Sequence, residues 1–144
     1  MSEKQPDVII IGGGAAGLSA AQYAARAGLE THLFEEMAPG GLLLNIDILE
    51  NYPGYDEPIS GFELADNFSK QAEQFGVVIH YGGIESLKRN DEGYFVVTSD
   101  DGIFTVPAVI LATGAKRREL GAPGEIEYQG KGVSYCATCD AAFF

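Results

Sequence analysis

Apolar residues fall in short undiluted runs, separated by stretches of helical spacing. Val8 to Ile11 is a run of β-branched residues with no polar interruption, the pattern of a parallel strand buried on both faces. An alanine-rich helical pattern follows from Ala15 to Ala27, and Gly28 stands where a helix end commonly needs positive φ. Thr31 to Phe34 reads as the next strand. Met37 to Tyr55 carries A-P-G-G and N-Y-P-G and is too long for a plain connector, so it reads as a functional loop. Ser60 opens a second helix, with Ser60 and Glu63 spaced as a capping box. Phe62, Ala65, Phe68, Ala72 and Phe75 recur at helical spacing and are expected to face the core, and Gly76 ends the helix. Val77 to Tyr81 is expected to be a further buried strand. Three short strands come next, Ile84 to Lys88, Tyr94 to Thr98 and Ile103 to Val106. The turns N-D-E-G and S-D-D-G divide them into an antiparallel meander. Ala108 to Leu111 returns to a buried-strand pattern. The order is that of an α/β fold with an added meander.

The first strand runs directly into Gly12, Gly13, Gly14, Ala15, Ala16 and Gly17, a G-x-G-x-x-G turn opening a helix. In such a turn the first glycine permits the bend and the second lets a pyrophosphate approach the backbone. The third lets helix and strand pack closely. The helix start offers free N–H groups and a positive dipole end to phosphate. Glu35 and Glu36 end the second strand, about twenty residues on, where a carboxylate can accept from a ribose hydroxyl. The competing reading is an ordinary βαβ turn with a solvated acidic pair.

Composition narrows the field. A length of 144 residues, 46% of them hydrophobic, suits a globular chain with one sizeable core. A net charge of −12 argues against nucleic acid or an anionic membrane as partner. No apolar stretch approaches the roughly 20 residues of a membrane span, and the polar start, Met1 to Asp7, lacks a signal-peptide core. A cytoplasmic location is the expectation.

The two cysteines, Cys136 and Cys139, stand together as C-A-T-C and are followed by Asp140. At a helix start such a pair has a lowered thiol pKa and cycles between dithiol and disulfide. Asp140 is placed to move the proton that thiol–disulfide exchange requires. A structural crosslink across so short a loop would remove little unfolded-chain entropy. Half of a zinc site is the other alternative, but His32 and His80 lack the H-x₃₋₅-H spacing and read as ordinary strand residues, so no metal is expected. Ala115 to Gly132, rich in Gly, Pro and charge, reads as a linker. The expected domains are 1–116 and 117–144.

Five stretches together resemble the low-molecular-weight thioredoxin reductases. They are D-V-I-I-I-G-G-G-A-A-G-L-S-A-A from Asp7, P-G-G from Pro39, E-N-Y-P-G from Glu50, L-A-T-G-A from Leu111, and G-V-S-Y-C-A-T-C-D from Gly132. The resemblance implies a Rossmann-like FAD-binding three-layer fold, truncated, with the start of a second domain carrying the dithiol. It implies FAD at the first glycine turn, with Glu35 on the adenosine ribose. Gly40, Gly41, Leu42, Asn51, Ala112, Thr113 and Gly114 would line the cofactor. Cys136 would attack a protein disulfide, Cys139 would face the flavin, and Asp140 would be the acid/base. Electrons would pass from NADPH, bound outside this chain, through FAD to the cysteines and on to thioredoxin or a similar dithiol protein. The intact protein would be a homodimer. Leu42 stands where the family carries glutamine and cannot supply its hydrogen bonds to flavin. A peroxiredoxin-reducing flavoprotein, a dithiol oxidase and a non-catalytic FAD-binding fragment remain as alternatives.

Overall fold

A computed structural model of the chain describes residues 5–116 and 118–135. It divides into two compact units, Met1–Gly114 and Ala115–Phe144. In the first, β1 (Val8–Ile11), β2 (Thr31–Glu35), β3 (Val78–Tyr81) and β7 (Ala108–Leu111) form a parallel sheet in the order β3-β2-β1-β7. Helix α1 (Ala15–Arg26) connects β1 to β2, and α2 (Gly61–Gln74) precedes β3. Strands β4 (Ile84–Arg89), β5 (Phe95–Ser99) and β6 (Gly102–Val106) make the antiparallel meander.

Side-chain alternation along β1 and β2 builds three layers. Val8, Ile10 and Leu33 pack with Leu18, Ala21 and Ala72 on the helical side. Ile9 and Phe34 point the other way and pack with Val97 and Val106 of the meander. Ile9, Ile10, Leu18 and Leu33 have no solvent exposure, and each contributes about 1.5–3 kcal/mol through burial. The strand period of two thus feeds both cores from one central strand.

Three burial expectations are corrected. Strands β3 and β7 are not buried on both faces but occupy the two edges of the sheet; Tyr81 is 67% and Leu111 65% exposed. An apolar run identifies a strand but not its rank in the sheet. Along α2 the buried residues are Gly61, Leu64, Ala65 and Ala72, with Phe68 partly buried, while Phe62 is 69% exposed. At about 100° per residue, Phe62 lies roughly 100° round the helix from the centre of that stripe. Phe75, also exposed, is the C-cap, and the Arg26 guanidinium lies 5.3 Å from its ring centroid.

The two histidines do lie in strands, but the fold brings them together. His80 shares hydrogen bonds with Asp101 (Nδ1–Oδ2 2.8 Å) and His32 (Nε2–Nδ1 3.0 Å), and its ring stacks on Phe34 at 4.3 Å. This polar chain links β2 and β3 of the parallel sheet to Asp101 in the turn between β5 and β6. Among the described residues no helix is long and apolar enough to cross a membrane.

Candidate nucleotide-binding site

The glycine turn lies at the carboxyl end of β1, beside the outgoing ends of β2 and β7. The Gly12 N–H donates to the Phe34 carbonyl at 2.8 Å and the Ala112 N–H to the Ile11 carbonyl at 2.8 Å, so the backbone is clamped on both sides. Gly12 has φ of +103°, and a Cβ there would run into the Ala112 carbonyl oxygen. A Cβ on Gly17 would strike the Gly12 carbonyl oxygen, which fixes how closely α1 approaches the strand. Gly14 differs. A Cβ built there would meet only the Gly41 Cα, at 4.0 Å. Gly14 is the N-cap of α1, no side chain caps the helix start, and its first turn carries no acidic residue. The start of α1 therefore presents N–H groups beside backbone a ligand can approach.

Glu35 joins the turn to the second strand. Its Oε2 accepts from the Gly13 N–H at 2.7 Å, and its Oε1 accepts from the Met37 N–H at 3.0 Å. Each oxygen keeps a second lone pair for another donor. A cleft of about 250 Å³ opens here, lined by Ile11, Gly12, Phe34, Glu35, Glu36, Gly82, Gly83, Ile84 and Thr113. Among the described residues no Lys or Arg lines it.

The long loop expected over Met37 to Tyr55 is pinned rather than loose. The Gly40 N–H donates to the Gly13 carbonyl at 2.7 Å, and a 3₁₀ turn follows over Gly41–Asn45. A Cβ on Gly61 would meet the Leu43 carbonyl oxygen, so the start of α2 sits tightly against that turn. Leu49 and Ile59 exchange backbone hydrogen bonds of 2.8 and 3.0 Å, closing the loop at its base.

With this geometry in view, comparison with known proteins is decisive. The family model described as pyridine nucleotide-disulphide oxidoreductase matches residues 6–144. The chain belongs to the pyridine nucleotide-disulphide oxidoreductase family. Within that family it is 56% identical to a thioredoxin reductase of Treponema pallidum over 142 residues, 99% of this chain and 46% of the relative. It is 48% identical to the thioredoxin reductase of Listeria monocytogenes, covering 99% of this chain and 44% of that one. The crystal structure of thioredoxin reductase from Streptococcus pyogenes matches with a TM-score of 0.83 at 47% identity, over 99% of this chain and 46% of the other. The resemblance read from the motifs is borne out, and the chain spans about half the length of the curated relatives it matches.

Within this family member, the residues singled out in sequence distribute unevenly. Gly12, Glu35, Glu36 and Thr113 line the cleft. Gly13, Gly14, Gly40 and Gly41 meet at the turn, where Gly14 and Gly40 form a parallel bridge. Ala15, Ala16 and Gly17 are the first turn of α1. Ala112 is bonded to the end of β1, and Gly114 has φ of +68°. Leu42 is 59% exposed in the 3₁₀ turn. Asn51 is exposed in the loop and does not line the cleft. Cys136, Cys139 and Asp140 lie outside the described residues. Sequence reading missed Ile11, Phe34, Gly82, Gly83 and Ile84. The available signal was the Gly82-Gly83 pair directly after a parallel strand, where open α/β sheets bind ligands.

Proposed function

We propose that this chain anchors FAD at the Gly12–Gly17 turn and supplies the Cys136–Cys139 couple of a flavoprotein disulfide reductase acting on thioredoxin or a similar dithiol protein. The carrying observation is an uncapped helix start with approachable backbone at Gly14, in a glycine turn tied through the Gly13 N–H to Glu35, a doubly engaged carboxylate that lines the adjoining cleft. The residues fit FAD. The α1 N–H groups, those of Ala15 and Ala16 among them, would hold a pyrophosphate. Glu35 would accept from the adenosine ribose, with Glu36 beside it in the cleft lining. A lining with two carboxylates and, among the described residues, no cation suits a free ribose hydroxyl rather than a 2′-phosphate. Gly40, Gly41, Leu42, Asn51 and Ala112 to Gly114 are assigned to the rest of the cofactor. FAD supplies two-electron exchange with a dithiol.

The chain's own chemistry is thiol exchange. The Cys136 thiolate attacks the substrate disulfide, forming a mixed disulfide and releasing one substrate thiol. Cys139 then attacks the Cys136 sulfur, forming the Cys136–Cys139 disulfide and releasing the second substrate thiol, with Asp140 taking and returning the proton. NADPH is assigned to the part of the relatives that this chain does not match, and the intact assembly to a homodimer.

Titrating the purified chain with FAD tests the first half. Saturable quenching of flavin fluorescence is expected, with no steady-state NADPH oxidation by the chain alone. A folded chain that binds no flavin overturns the assignment. For the second half, the chain is complemented with the remaining segment of a relative. NADPH-dependent reduction of the thioredoxin disulfide is expected, faster than that of small disulfides or of an oxidised peroxiredoxin. Replacing both cysteines by serine should abolish it.

A further inference from the structure

The segment leading to the cysteines is built round one carboxylate. Glu125 is 5% exposed. Its Oε1 accepts from the Leu120 N–H at 2.9 Å, and its Oε2 from the N–H groups of Gly121 at 2.7 Å and Ala122 at 3.2 Å. The Tyr135 hydroxyl donates to Oε1 as a fourth bond. Four donors match the four lone-pair sites of an ionised carboxylate. The Tyr135 hydroxyl first, and then the Leu120 N–H, hold the Glu125 carboxyl below its ordinary value, with smaller help from Gly121 and Ala122 and against the effect of burial. The chain between folds back on itself, with the Tyr128 and Val133 N–H groups donating to the Gly124 and Tyr128 carbonyls, each at 2.9 Å. Glu125 thus ties one strand of this hook to Tyr135, the residue covalently joined to Cys136.

We propose that Glu125, acting through Tyr135, is a positioning residue for the Cys136–Cys139 couple, a clasp that favours its disulfide form. This rests on the reading of those cysteines as a redox pair. Closing two cysteines three residues apart restricts the backbone from 136 to 139. Holding Tyr135 restricts the residue before it. Constraints on adjoining backbone are cooperative, because each leaves less conformational freedom for the other to remove. By reciprocity, the disulfide tightens the clasp by the same factor that the clasp stabilises the disulfide.

Equilibration of the chain in glutathione redox buffers measures the coupling. One protein S–S bond breaks, two glutathione thiols are oxidised to one glutathione disulfide, and their two protons pass to the protein thiols. Tyr135→Phe keeps the ring and removes only the hydroxyl. It should shift the equilibrium about tenfold toward the dithiol, about 30 mV for a two-electron couple. Glu125→Gln should shift it the same way, and the double variant should add little. A merely structural role would not move the second readout, a ¹³C NMR titration of Glu125. Its pKa should be about one unit lower in the disulfide form, the same tenfold factor. A folded Tyr135→Phe variant within twofold of wild type, or a Glu125 that titrates identically in both redox states, overturns the clasp. A wild-type chain with no reversible couple overturns the redox reading itself.

Discussion

Two carboxylates in this chain do the same physical task by different routes. Glu35 gathers the N–H groups of Gly13 and Met37, and Glu125 gathers those of Leu120, Gly121 and Ala122. The Glu125 backbone partners lie three to five residues away in sequence, so that nest is a local turn. The Glu35–Gly13 bond spans 22 residues and exists only because β1 and β2 are paired in register. Glu125 has its four lone pairs engaged, whereas Glu35 retains capacity for a ligand. A saturated carboxylate organises the chain; an unsaturated one at a cleft remains available to recognise something else.

The largest effect expected on this contrast is at Gly17. Gly17→Val drives a side chain into the Gly12 carbonyl and separates α1 from the strand that the long-range bond needs. A loss of about 3 kcal/mol in urea unfolding and no detectable flavin binding are expected. The hook at Glu125 should keep its own hydrogen bonds by NMR.

Next is Glu35→Ala, which leaves the Gly13 and Met37 N–H groups without their acceptor. About 2 kcal/mol of stability should be lost, and FAD should bind at least tenfold more weakly by fluorescence titration. Unchanged FAD affinity would remove the distinction between the two carboxylates.

Ser60→Ala sharpens the local side of the comparison. The Ser60 hydroxyl accepts from the Glu63 N–H at 3.1 Å at the start of α2, and losing that cap should cost about 1 kcal/mol in the same unfolding assay.

The smallest effect is present at neutral pH and lost in acid. The Glu125 pKa is held below its ordinary 4.5, so its ionised form adds stability that is complete above that pH and fades as pH falls through the folded value. Thermal unfolding of wild type and Glu125→Gln should therefore differ at pH 7 and converge below about pH 4.5.

Much of the fold was legible because it is written in local periodicity. The undiluted run at Val8 to Ile11, the Ser60 N-cap and the turn residues of the meander each specify an element from its own residues. The glycine turn and its acidic partner were legible for a related reason: a βαβ unit fixes the separation between strand ends. The burial of Phe62, and the rank of β3 and β7, were misjudged because period alone leaves a stripe's edge and a strand's neighbours undetermined. Gly82 and Gly83 were passed over because their place in the cleft depends on β3 pairing with β2.

By itself, then, the sequence determined the elements, the phosphate-type turn and the local bonds that close within a few residues. The tertiary structure decided which strands are edges, which histidines meet, and which carboxylate keeps a lone pair at a cleft. Those outcomes depend on contacts between segments far apart in the chain, where local propensity has no influence and packing selects the arrangement.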